Sequence, residues 1–147
     1  MYAAIRIRGL PDRNRKIENT LKHIGLNQRN SLVFLPETET FEGMLNKTKD
    51  IVTYGKVSQE FLEEFLEDRI DIESVYESFG EESFEDLVDK IDEGEICISE
   101  AIEEGFVNAF NMNSPKKGFK DTKRQFKQSG SLGLREDHKV EKIVKRM

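Results

Sequence analysis

The sequence has few residues of the kinds that bind metals or form disulfides. Cys97 is its one cysteine, which excludes an internal disulfide framework and a zinc site built from several cysteines. The two histidines, His23 and His138, are separated by most of the chain, and neither has metal-ligand spacing to the other or to Cys97. We interpret Cys97 as a small buried hydrophobic residue and His23 as a histidine near a helix end. We therefore predict no metal site and no cofactor.

Long apolar runs are also absent. No run approaches the roughly 20 residues that a membrane-spanning helix requires, and no charged segment followed by an apolar one opens the chain. Hydrophobic residues make up only 36% of the 147 residues, but ten Phe supply additional apolar area for a modest core. These features predict a cytoplasmic protein with one domain, or with a small core and an appended subdomain.

Catalytic motifs are lacking as well. Adjacent acidic residues lie in charge-rich stretches without catalytic context, and we interpret them as solvated helix faces. The glycines of residues 129–133 do not form the GxxxxGK[ST] pattern of a phosphate-binding loop. We therefore predict that the protein is not an enzyme.

Charge is distributed unevenly along the chain. Although the net charge is −6, residues 1–56 carry +4, residues 57–110 carry −17 and residues 111–147 carry +7. Such asymmetry indicates different partners for different segments. Because RNA phosphates respond to charge within about 8–10 Å at physiological salt, the basic outer segments remain candidates for RNA binding.

The first predicted element is a half-buried strand over residues 2–8, with Arg6 and Arg8 on its polar face. Two partners are open to these arginines: RNA, or the acidic middle of the chain, which we consider the better option.

Residues 1–57 continue with alternating helix and strand patterns. We predict a helix over residues 13–24 capped by Asp12, a strand buried on both faces over residues 31–35, a helix capped by Thr40, and a strand over residues 53–57. This β-α-β-α-β order favours parallel pairing, with both helices on one face of the sheet.

The acidic middle has the pattern of amphipathic helices. Ser58 opens one with an apolar and an acidic face, and Ser83 with Asp86 resembles a capping box that opens another. In the helix that Ser58 opens, the apolar residues are Phe61, Leu62, Phe65 and Leu66, and the acidic ones are Glu60, Glu63, Glu64 and Glu67. The predicted division is residues 1–57 as a core, 58–105 as an acidic helical insertion, and 106–147 completing the core.

The C-terminal segment is predicted to begin with a strand over residues 106–112, to be irregular over residues 113–135, and to end in a helix. Its irregular part interleaves Lys and Arg with Gly, Phe119 and Phe126. Cations neutralise phosphates, glycine permits close approach, and phenylalanine stacks on bases, so the composition suits RNA. The alternative is a flexible lysine-rich loop whose two phenylalanines fill the core.

Several segments, taken in order, resemble the archaeal form of large-subunit ribosomal protein thirty, whose eukaryotic relatives are the L-seven proteins. The segments that carry the resemblance are Ile5-Arg-Ile-Arg-Gly9, Thr20-Leu21 with Gly25-Leu26, Leu35-Pro-Glu-Thr38, Gly43-Met-Leu-Asn-Lys47, Val52-Thr-Tyr-Gly55, Pro115-Lys-Lys-Gly-Phe119, Gly130-Ser-Leu-Gly133 and Arg146-Met147. The sequence departs from the family at Lys117, Phe119 and Ser129, where arginine, glycine and glycine are usual. Lysine lacks the bidentate geometry of arginine toward phosphate.

The resemblance implies an α+β fold with a ferredoxin-like core and a non-enzymatic role in the large ribosomal subunit. The implied partners are ribosomal RNA, 23S near the 5S region, and neighbouring ribosomal proteins, with no membrane and no small-molecule substrate. The predicted RNA-binding residues are Arg29, Asn30, Gly43, Met44, Asn46, Lys47, Lys49, Lys116, Lys117, Gly118, Lys120, Lys123, Arg124, Lys127 and Arg135.

Two other interpretations stay open. A non-ribosomal interaction module would use the acidic helices to bind a basic protein. A small-molecule regulatory domain on the same fold is the weaker option, because fold alone excludes no function. For Lys47 and Lys49, an ordinary solvated helix face is the alternative to RNA binding.

Overall fold

The structure is a computed structural model and describes residues 1–9, 14–67, 69, 79, 83–93, 109–136 and 139–147. The described elements, in chain order, are β1 (Tyr2–Arg6), α1 (Arg15–His23), β2 (Ser31–Leu35), α2 (Glu39–Lys47), β3 (Val52–Lys56), α3 (Gln59–Glu67), α4 (Phe84–Glu93), β4 (Phe110–Asn111), a 3-10 turn (Phe126–Gln128), β5 (Gly133–Leu134) and α5 (Glu141–Val144). The predictions for Cys97, for His138 and for the first part of the fourth strand lie outside the described residues.

The described strands form one sheet in the order β4-β2-β1-β3-β5, with β1 at its centre. β1 pairs antiparallel with both β2 and β3, so the predicted parallel pairing of these strands is wrong. The reason is the path of the connection through α1. The chain leaves the sheet at the end of β1 and re-enters it as β2 at the same end, so the two strands run in opposite directions. Arg6 donates to the carbonyls of Leu26 and Asn27, which holds the end of this connection beside the end of β1.

The helical crossover joins β2 to β3 instead. Both strands run antiparallel to β1, and therefore parallel to each other, with β1 between them. α2 carries the chain back along the sheet from the end of β2 to the start of β3. This is the split β-α-β arrangement of ferredoxin-like folds, and it gives the α+β class that the sequence predicts.

Helices and loops cover both faces of the sheet. On one face, Ala3 pairs with Phe34, whose ring meets that of Phe65 from α3 at 5.3 Å. On the other, Val33 lies beside Gly25 at the end of α1, and Tyr54 borders α2. Strand β2 is buried throughout, as predicted, but β1 is also buried on both faces, not half-exposed.

The first two helices begin at other residues than predicted. Asn14 caps α1 by accepting from the amide of Lys16 at 3.2 Å, and Asp12, the predicted cap, lies outside the described residues. Thr38 caps α2, since its hydroxyl accepts from the amide of Phe41, while Thr40 lies inside the helix. Both caps are side-chain oxygens that satisfy first-turn N–H groups.

The predicted starts of the two acidic helices, at Ser58 and Ser83, are confirmed. The hydroxyl of Ser58 accepts from the amide of Phe61 at 3.3 Å. The hydroxyl of Ser83 accepts from the amide of Asp86 at 3.2 Å and donates to its carboxylate at 2.8 Å. α3 also buries the four predicted apolar residues and exposes the four predicted acidic ones.

The C-terminal segment completes both edges of the sheet. β4 pairs with β2, and β5 pairs in parallel with β3 through Thr53 opposite Gly133. Residues 113–135 are otherwise mostly irregular, as predicted, and α5 buries Ile143 and Val144.

Candidate nucleic-acid interface

Within the described ranges, no cluster of His, Cys, Asp or Glu could hold a metal ion. None of the described helices combines the length and apolar character needed to cross a membrane. The predicted binding residues of α2 lie mostly on the protein surface.

One exposed face of α2 carries Gly43, Asn46 and Lys47, which follow each other at helical spacing, and Lys49 lies just beyond the helix. Met44 is half-buried and packs on the core. No acidic residue of the described part of the chain forms an ion pair with Lys47 or Lys49, so their charges are available to an anion.

Gly43 has no structural requirement inside the protein. It lies in the middle of α2 with ordinary helical backbone, and a Cβ at this position would meet no atom of the described residues within 4 Å. Glycine at an exposed helical position destabilises a helix by about 1 kcal/mol relative to alanine. The contacts of the described residues therefore give no reason for a glycine at this position.

A groove of about 260 Å³ separates α2 from the C-terminal segment. Asn46 and Lys49 line one side of it, and Gln125 and Lys127 line the other. The amide of Gln125 donates to the carboxylate of Asp50 at 3.2 Å, which ties the two sides together. The fold thus brings together residues of two segments that the sequence predicted separately.

Arg29 and Asn30 lie at the opposite edge of the sheet. Asn30 has a left-handed backbone, with φ of 63°, and its side-chain amide donates to the Ser114 hydroxyl at 3.2 Å. Asn30 therefore anchors the C-terminal segment, while Arg29 is exposed beside Gly9.

The turn at residues 116–118 is exposed and is shaped by a residue that sequence reasoning missed. Lys117 and Gly118 both have positive φ, 70° and 65°. The guanidinium of Arg146 donates to the carbonyls of Lys116 and Gly118, and the Lys116 amide donates to the Arg146 carbonyl at 2.8 Å. A basic residue at the end of a terminal helix gives no sequence signal of this role.

The remaining lysines and arginines of the segment are exposed but partly engaged. Arg124 forms an ion pair with Asp121 at 3.7 Å, and Lys127 with Glu136 at 3.3 Å. Lys120 and Lys123 are also exposed. Such exposed pairs contribute little, typically under about 1 kcal/mol, and give way easily to a phosphate.

Arg135 is not part of this surface. It is only 7% exposed, and its guanidinium donates to the Thr53 hydroxyl at 2.8 Å and the Ser131 carbonyl at 3.0 Å. The ring of Phe126 lies 4.3 Å from it. Burial lowers the pKa of Arg135 to about 10. Its inclusion among the RNA-binding residues is therefore corrected: it is a structural arginine.

The pairing considered for Arg6 and Arg8 is corrected too. Arg6 donates to the Leu26 and Asn27 carbonyls at 2.9 and 2.6 Å, and Arg8 approaches the Asp50 carbonyl. Burial lowers the pKa of Arg6, and the charge of Arg29 adds to this effect. The hydrogen bonds of both side chains go to backbone carbonyls of Arg8, of the segment after α1 and of the α2–β3 turn, and not to the acidic helices.

Comparison with known proteins decides the family. The family described as Ribosomal protein L30p/L7e matches residues 2–52. The large ribosomal subunit protein uL30 of Nanoarchaeum equitans is 34% identical over 92% of this chain and 91% of its own length. The uL30 proteins of Methanosphaera stadtmanae and Thermoplasma acidophilum are 32% and 33% identical over the whole chain and over 99% and 92% of their own lengths. The chain belongs to the L30p/L7e family. The family is structural and not enzymatic.

The glycines in the segments that resemble this family differ in how much space a side chain would have. A Cβ on Gly55 would lie 2.4 Å from the Arg135 carbonyl oxygen, and one on Gly130 would lie 1.9 Å from that of Arg124. These two glycines are required by backbone packing inside the protein. Gly43 has no such neighbour among the residues that the structure describes.

Proposed function

We propose that the protein is a structural component of the large ribosomal subunit, in the cytoplasm, and that it binds ribosomal RNA through the exposed face of α2. The RNA is 23S, near the 5S region. The family membership supports the ribosomal role. The observation that carries the RNA contact is Gly43, an exposed helical glycine that the fold itself does not need.

The α2 face has the chemistry that a phosphate backbone requires. Lys47 and Lys49 supply charge, Asn46 supplies hydrogen bonds, and Gly43 lets a sugar-phosphate chain lie against the helix backbone. Contacts of this kind position a protein by shape and phosphate more than by base sequence.

The basic C-terminal segment extends this surface. Its exposed contributors are Lys116, Lys117, Gly118, Lys120, Lys123, Arg124 and Lys127, and Arg29 adds charge at the opposite sheet edge. The acidic faces of α3 and α4, within the proposed insertion of residues 58–105, would be repelled by phosphate. They face solvent or a basic neighbouring ribosomal protein.

The test is a charge reversal on α2. The double variant Lys47→Glu, Lys49→Glu should bind deproteinised large-subunit RNA more weakly and with a smaller salt dependence. Since each phosphate contact contributes about 0.7–0.9 to the slope of log K against log salt, the slope should fall by about 1.5.

The matched control is Lys16→Glu, Lys22→Glu on α1, which makes the same charge change on another exposed helix. It should affect binding much less. Equal losses in both variants would show that net charge governs binding and that the α2 face has no special role.

A further inference from the structure

The groove between α2 and β5 has a composition that phosphate binding does not explain. Lys49 and Lys127 line it, but so does the carboxylate of Glu42, which repels phosphate. Glu42, Asn46 and Lys49 follow each other along the helix side that faces the groove, next to the Gly43 face. A site for phosphate alone would have no use for an acidic residue at that position.

The other lining residues are of both kinds. Tyr54, Phe126, Leu132 and Leu134 are apolar or aromatic, and Asn46 and Gln125 are polar amides. Leu134 is 37% exposed, more than any other large hydrophobic residue whose side chain the structure describes. The volume of the groove, about 260 Å³, is below the roughly 300–1,000 Å³ of drug-sized ligand sites, so the groove suits one flat group.

The geometry points to a site for one unpaired base of the bound RNA, with its sugar-phosphate on Lys49 and Lys127 and its polar edge on Glu42. This inference rests on the proposed RNA binding and adds a base-reading subsite to it. Aromatic side chains beside polar and charged groups are how proteins hold bases that are splayed out of RNA loops.

The carboxylate selects among the bases. A carboxylate only accepts hydrogen bonds, so it pairs with bases that present amino or imino donors. Guanine presents two adjacent donors on its Watson–Crick edge and matches the two oxygens of Glu42, whereas uracil has no amino group. The preferred base is therefore guanine.

In the first experiment, two mechanisms predict opposite changes in RNA affinity for the variant Glu42→Gln. If Glu42 only repels phosphate, removing its charge strengthens binding to deproteinised large-subunit RNA. If it accepts from a base, the variant loses a charge-assisted hydrogen bond, and we expect binding about tenfold weaker at fixed salt. Glu39→Gln makes the same charge change in the first turn of the same helix and should leave binding unchanged or up to about twofold stronger.

The second experiment tests the base directly with the isolated full-length protein. Guanosine monophosphate should shift the backbone amide resonances of Asn46, Gln125 and Leu134, and uridine monophosphate should not. Because both nucleotides carry the same phosphate, the difference between them reports the base alone.

The outcomes separate this inference from the proposed function. If the RNA binds but Glu42→Gln strengthens binding as Glu39→Gln does, or if both nucleotides shift the same amides equally, the groove does not read a base while the RNA-binding role stands. If the wild-type protein does not bind the RNA at all, the proposed function itself fails.

Discussion

Gly43→Ala should change stability and RNA binding in opposite directions. The residue lies mid-helix and is exposed, and a methyl group there would meet no atom of the residues that the structure describes. Alanine is favoured over glycine in helices by about 0.8–1.0 kcal/mol. The free energy of unfolding of the isolated protein should therefore rise by about that amount, which corresponds to about 2–4 °C in Tm for a chain of this size.

RNA binding should weaken in the same variant. If the sugar-phosphate backbone packs directly on Gly43, the methyl group forces it away, at a cost similar to the roughly 1–3 kcal/mol of overpacking a close contact. Affinity for deproteinised large-subunit RNA should fall about tenfold, since 1.4 kcal/mol corresponds to a factor of ten.

Urea unfolding followed by circular dichroism measures the first effect, and filter binding measures the second. Asn19→Ala is the matched control, because Asn19 is exposed in the middle of α1 and alanine improves helix propensity there too. It should stabilise the protein and leave affinity unchanged. A Gly43→Ala protein that is more stable and binds RNA as well as the wild type would refute the contact.

Three further variants test the structure. Arg135→Met should lower the unfolding free energy by about 2–4 kcal/mol in urea titrations, because two buried hydrogen-bond acceptors lose their donor; a neutral result would contradict its structural role. Gly130→Ala should cost about 3 kcal/mol or more in the same assay, since its Cβ would meet a backbone oxygen at 1.9 Å, and wild-type stability would show that this turn adjusts freely. Burial raises the pKa of Glu37, but the hydrogen bonds from Lys56 and the Met1 ammonium outweigh it and lower that pKa below its usual value. Glu37→Gln should thus cost up to about 1 kcal/mol at pH 7, a difference that disappears as pH falls through the lowered pKa; a difference that persists in acid would exclude this linkage.

Sequence patterns predicted what depends on neighbours in the chain. Strand β2 follows from a short apolar run, and the cap at Ser83 follows from Asp86, three positions later. The inward face of α3 follows from helical spacing. In each case, the residues that decide the structure lie within one or two turns of each other.

Features set by distant residues were not predictable in this way. The antiparallel pairing of β1 depends on where the chain returns after α1, which the contact of Arg6 with Leu26 fixes in three dimensions. Arg135 resembles any other basic residue of its segment, and only the partner Thr53, 82 positions away, makes it internal. Similarly, the candidate groove joins α2 to a turn more than 70 residues later.

The sheet that has β1 at its centre also has consequences during synthesis. Residues 1–57 contain the three central strands and the two helices that cover one face, so these elements are synthesised first. The sheet face around Phe34 is covered only when α3 has been made. The edge of β3 is paired only when β5, the strand that contains Gly133, has been made. At about 5–20 residues per second, β5 follows β3 by roughly 4–16 s. For that time the nascent chain presents the unpaired edge of β3 to its surroundings. In the finished protein, β5 covers this edge, so it no longer offers a site for aggregation.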